Sequence, residues 1–200
     1  MANANTPRGL QPYAYSWGAP YNGAARVYYV PSGNATALYL GDPVTILNNS
    51  SDGNGVQSVG IGTAAGGSYI TGAFMGIANN AGQATIPVLQ SATPYLPAST
   101  AAYVYVADDP NLLWWAQEDS AGGAMVSGAS GRNVDLVAGS GSTVTSFSGW
   151  MLDSSTLATT NTLQMRILQA LQETDNTVAV AYAKWLCKIN LHTMNNTTGI

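Results

Sequence analysis

Ala101-Ala102-Tyr103-Val104-Tyr105-Val106-Ala107 is the stretch whose reading decides the fold. Aromatic and β-branched residues run through it without a helical period, as in a strand packed on a sheet. Asp108-Asp109-Pro110 stops it, because Asp before Pro favours a turn. Leu112 to Gln117 then reads as a returning strand. The same grammar recurs on both sides. Ala25 to Val30 is strand-like and ends at Pro31-Ser32-Gly33-Asn34. Leu38 to Leu40, Val44 to Leu47, Val56 to Ile61, Ile70 to Ile77 and Ala84 to Leu89 follow, and Asp52-Gly53-Asn54-Gly55 is the strongest tight-turn signal. Val134 to Val137 and the short apolar Gly149 to Leu152 come later. Leu163 to Glu173 fits both a helical stripe and a strand; its Thr-rich flanks favour a strand with a break near Leu168, and Tyr182 to Leu191 closes the series. About ten strands between Gly, Pro and Asn turns make an all-β chain, an antiparallel β-barrel or jelly-roll-like sandwich. Residues 1–23, with Pro7, Pro12 and Pro20, read as an extended N-terminal arm, 24–192 as one β domain and 193–200 as a short flexible tail.

Composition bounds the chemistry. Six basic and ten acidic residues make only 8% charged, against about 25% in a typical soluble domain. One His and one Cys complete a sparse supply of acids, bases, nucleophiles and metal ligands. This argues against an enzyme and for a protein that works by shape. The net charge of -4 comes with no basic run, which argues against nucleic acid as a partner. No stretch approaches the apolar length of a membrane span, and no signal-peptide shape opens the chain. Eleven Tyr and five Trp argue against disorder.

Each chemical candidate has a plainer reading. Asp108, Asp109, Glu118 and Asp119 are the close acidic pairs; a paired-carboxylate hydrolase or a Ca²⁺ site competes with turn chemistry, and the latter is favoured. If the segment between them is one strand, the pairs lie at its opposite ends. His192 reads as an exposed loop residue, Cys187 as a buried inert thiol, and the glycine-rich stretch Gly60 to Gly67 as a turn. No catalytic, cofactor-binding or metal residue is expected. Trp114 and Trp115 are neighbours on a strand, so one faces inward and the other outward, as do Tyr28 and Tyr29. Tyr13, Tyr15, Trp17, Tyr28, Trp114 and Trp115 are the candidate subunit contacts, with the arm expected to reach a neighbour.

Several stretches carry a family resemblance. Residues 2–10 (ANANTPRGL), 29–44 (YVPSGNATALYLGDPV), 103–110 (YVYVADDP), 136–143 (LVAGSGST), 148–155 (SGWMLDSS) and 183–192 (AKWLCKINLH) together resemble the head cement, or decoration, proteins of short-tailed phages, the kind first met in a Bordetella phage. The resemblance implies a β-barrel or jelly-roll on the outer surface of the capsid, made in the bacterial cytoplasm and clamping major capsid protein subunits. A homotrimer is expected, with a homodimer as the alternative, and no cofactor. A receptor- or glycan-binding protein of the tail or fibres is the rival reading.

Overall fold

The computed structural model describes residues 2–78 and 94–195. The chain is all-β, and the expected fold class holds. Its strands are β1 (Gln11–Tyr15), β2 (Arg26–Val30), β3 (Pro43–Ser51), β4 (Gln57–Ile61), β5 (Gly72–Ala78), β6 (Ala102–Ala107), β7 (Leu112–Gln117), β8 (Asn133–Val137), β9 (Met151–Ala158), β10 (Met165–Ala170) and β11 (Lys184–Ile189). The expected strand at Ala84 to Leu89 lies outside the described residues. The strands divide into a closed barrel, β2-β4-β3-β5-β6, and a six-stranded sheet, β1-β7-β11-β10-β8-β9. Every pair is antiparallel except β2 with β4.

Two cores follow from strand alternation. Phe74, Val104 and Val106 point into the barrel with Val30, Val44 and Val59. Ala73 and Ala107, on the other side of β5 and β6, join the sheet's core of Trp114, Trp185, Met165, Ile167 and Leu152. The barrel wall there is made of small side chains, which lets the sheet come close. Gly72 is part of the same economy: a Cβ on it would lie 1.9 Å from the Ala107 carbonyl oxygen.

Several expectations need correction. The Asp108-Asp109-Pro110 turn does not fold β7 back on β6; it carries the chain from barrel to sheet, where β7 pairs with β1 and β11. Asp109 Oδ1 accepts the Asn111 N–H at 2.7 Å and shapes the crossing. Leu38 and Leu40 form isolated bridges to Leu96 and Phe147, not a strand. The N-terminal arm contains a strand. β1 sits at the sheet's edge, where the missing N–H of Pro12 is tolerated, and its register slips between Pro12 and Ala14. The arm is also tied down: Asn3 Nδ2 donates to the Thr177, Val180 and Ala181 carbonyls, and Gln117 Nε2 donates to the Ala4 carbonyl. These bonds lay its first residues against their own chain, while Tyr13 and Trp17 stay exposed. The expected tail begins as a 3-10 turn, Thr193–Asn195, with Thr193 buried, and 196–200 lie outside the described residues.

His192 is the largest reversal. It is 1% exposed. Ile70 bridges it: the Ile70 N–H donates to the Leu191 carbonyl, and the Thr193 N–H donates to the Ile70 carbonyl. These bonds fasten the chain's end to the entry of β5, and burial lowers the imidazole pKa to about 4.

Other readings hold. Asp52 Oδ1 accepts the Asn54 and Val56 N–H groups in the β3–β4 hairpin, and Gly53 and Gly55 take its positive φ angles. β10 has its register shift between Ile167 and Gln169, at the expected break. Cys187 is fully buried, and burial pushes its thiol pKa up.

Candidate functional site

Two surfaces stand out. The first is the outer face of the six-stranded sheet. Trp114 and Trp115 part as strand geometry requires: Trp114 is wholly buried in the sheet core, while Trp115 is half-buried on the opposite face. Leu186 lies opposite Trp115 across the β7–β11 pairing, and Lys188 lies opposite Leu113. Lys188 also faces Arg166 on β10. Half of the chain's six basic side chains, Arg166, Lys184 and Lys188, thus meet on one face although they form no run in sequence. Lys184 Nζ reaches Glu173 at 2.8 Å and Asp175 at 3.0 Å, and stands 5.9 Å from the Trp115 ring centre. It holds the indole in place by a cation–π contact.

The remaining predicted contacts scatter. Tyr13 is 50% and Trp17 63% exposed, and Trp17 stacks on Tyr15 at 4.7 Å. Tyr15 itself is buried in the sheet core, so it braces Trp17 and is not a free contact. Tyr28 and Trp114 are likewise buried within the chain and unavailable as subunit contacts. For Tyr28 the reason is parity. Alternation places one of Tyr28 and Tyr29 inside but does not say which, and Tyr28 is drawn inward by Asp108.

The acidic candidates are not brought together. β7 separates Asp108 and Asp109 from Glu118 and Asp119 by roughly 20 Å of strand. Glu118 is buried; its Oε2 accepts the Met125 N–H at 2.8 Å, and burial raises its pKa to about 6. Asp119 Oδ1 accepts from the Ser154 N–H and hydroxyl. These carboxylates organise loops. Among the described residues no three His, Cys, Asp or Glu side chains gather as a metal site, and no helix is long and apolar enough to cross a membrane.

The second surface is a cleft of about 750 Å³ that the sequence did not announce. Residues 35–39, the loop after β4 and the segment after β8 form its walls, with Asp42 and Trp150 at its base. Asp42 is 2% exposed, and its Oδ2 accepts the Tyr39 N–H at 2.8 Å. Its Oδ1 has no hydrogen-bond partner of good geometry among the described residues. Burial pushes the carboxyl up to about 6, against the neighbouring Ser148 hydroxyl and the Tyr39 N–H. A second hollow of about 320 Å³ shares Ser140 with the first and is flanked by Arg8, whose guanidinium sits 4.6 Å from the Phe147 ring centre. The glycine-rich stretch Gly60 to Gly67, read as a turn, supplies Gly62, Thr63 and Ala64 to one wall, and the other walls come from segments up to a hundred residues away.

Comparison of the chain with protein-family models, with curated proteins and with solved structures finds no match.

Proposed function

We propose that the chain is a capsid cement protein, which binds the outside of a phage head and holds neighbouring major capsid protein subunits together. The supporting observation is the outer face of the six-stranded sheet, where Trp115 and Leu113 stand beside Leu186, Lys188 and Arg166. Trp and Arg are among the side chains that dominate binding hot spots. Tyr13 and Trp17 extend the exposed aromatic surface. The sparse charge elsewhere suits broad contact, since unpaired charges are costly to bury. A homotrimer at local threefold axes is the first choice of assembly, a homodimer the second.

The mechanism is linkage. A protein that binds only the mature lattice stabilises it by RT ln(1 + [L]/Kd), about 2.7 kcal/mol per site at a hundredfold excess over Kd. Sites repeated over a shell add up, and linked copies gain avidity.

The test is co-sedimentation with heads purified without the protein. Wild type should bind to saturation, and Trp115→Ala should weaken binding about tenfold or more. Equal binding by Trp115→Ala removes the sheet face from the account, and no binding by wild type removes the function.

A further inference from the structure

We propose that the Asp42 cleft is a binding site for a neutral oligosaccharide, separate from the capsid contact. Its volume of about 750 Å³ falls within the range of small-molecule sites. Thr36, Thr63 and Ser140 are exposed on three different segments and line the same cleft. A hydroxyl both donates and accepts, as a sugar hydroxyl does. Among the described residues the lining contains no Lys or Arg, so a phosphate or carboxylate ligand would meet no counter-charge there.

The base of the cleft supplies what a wall of hydroxyls lacks. Among the described residues Asp42 Oδ1 makes no hydrogen bond of good geometry, the Ser148 hydroxyl being the nearby donor, and such a buried group is costly to leave unpaired. The atom is sealed from the cleft, so a ligand hydroxyl reaches it only where the base yields around Ser148. Tyr39 and Trp150 add apolar surface for the C–H side of a sugar ring. Tyr39 is held by Tyr95, stacked at 5.1 Å, so that surface is set before a ligand arrives.

Asp42 is the only carboxyl among the described residues of the lining, and hydrolysis of a glycosidic bond ordinarily takes two. The site therefore binds without cleaving. The cleft's glycines need no ligand to explain them. A Cβ on Gly139 would meet the Gly149 carbonyl at 2.0 Å, and one on Gly141 the Tyr39 ring at 2.2 Å.

The experiment screens the full chain against maltotriose, cellotriose and chitotriose by saturation-transfer NMR and calorimetry, with a sialylated trisaccharide as the charged comparison. A parallel arm uses neutral bacterial surface polysaccharide, to separate short soluble ligands from a cell-surface source. Thr63→Tyr and Ser140→Tyr fill the cleft from exposed positions and should leave the melting temperature unchanged. At least one neutral sugar should bind wild type, and both filled variants should weaken it about tenfold or more. Three results would overturn the site: no neutral sugar binding, preference for the sialylated probe, or undiminished binding in both filled variants. Loss of head binding in the filled variants without any sugar binding would assign the cleft to a capsid polypeptide instead. Failure of wild type to bind heads bears only on the cement reading.

Discussion

The Tyr28 hydroxyl donates to Asp108 Oδ2 at 2.7 Å, inside the structure, where the chain leaves the barrel for the sheet. Arg26 Nε approaches the same oxygen at 3.4 Å from a largely exposed side chain. Burial raises the Asp108 pKa, and the Tyr28 bond and the Arg26 charge oppose that rise. The phenol therefore helps to keep a buried carboxylate ionised at the crossing.

Removing the phenol tests this directly. Tyr28→Phe keeps the ring in the barrel core but leaves Asp108 with a poorer set of donors. The expected loss is about 1–3 kcal/mol in urea unfolding at pH 7. An unchanged midpoint would show that Arg26 and water suffice.

Asp42 makes the pH response of stability legible. Its folded pKa, about 6, lies above the ordinary 3.8, so the native state holds the proton more tightly than the unfolded chain. The contribution is complete below about pH 4 and is lost as pH rises through about 6. Asp42→Asn removes that loss. The variant should exceed wild type by roughly 2–3 kcal/mol at pH 8 and match it near pH 4, measured by urea unfolding at both values. A constant difference across pH would contradict the assignment.

His192 works in the opposite direction. Its folded pKa, about 4, lies below the ordinary 6.5, so its contribution is present above pH 6.5 and is lost as pH falls toward 4. His192→Asn, which can still accept the Met194 N–H that Nδ1 accepts at 3.0 Å, should lose about 2 kcal/mol less than wild type between pH 7 and 4.5. Identical slopes for the two proteins would mean that the imidazole titrates in contact with water.

Gly72 tests the joint between the barrel strands and the sheet crossing. Gly72→Ala forces a methyl against the Ala107 carbonyl at 1.9 Å, and the nearest atoms are all backbone of Ala107 and Asp108, with no flexible side chain to yield. The expected cost is about 3 kcal/mol, read as thermal and urea destabilisation. Gly33→Ala, where a Cβ would meet nothing within 4 Å, is the control and should stay within about 0.5 kcal/mol of wild type.

These residues also mark how far the sequence could be read. Alternation and turn chemistry located β6, β7, the β3–β4 hairpin and the bulge in β10, because each is encoded by near neighbours. β9 is legible only at its apolar start; Ser154, Ser155 and Thr156 have no strand signature and fall where the β8–β9 register shifts, held by bonds from the Asp135 N–H to the Thr156 hydroxyl and from the Ser154 N–H to Asp119. The division into barrel and sheet has no local code, since the Asp108-Asp109-Pro110 turn looks the same whether the chain doubles back or crosses over. His192 is buried by Ile70, far away in sequence. Trp115 was legible as an outward candidate because parity beside Trp114 required one. The cleft was not, because Thr36, Thr63, Ser140 and Asp42 acquire meaning only when three loops converge.

The most direct test of the cement reading is the thermal disruption of heads with and without the protein, followed by release of packaged DNA. Heads lacking it should open at a lower temperature, and adding back the purified chain should restore the wild-type value in proportion to bound copies. Equal opening temperatures at full occupancy and at none would contradict the account.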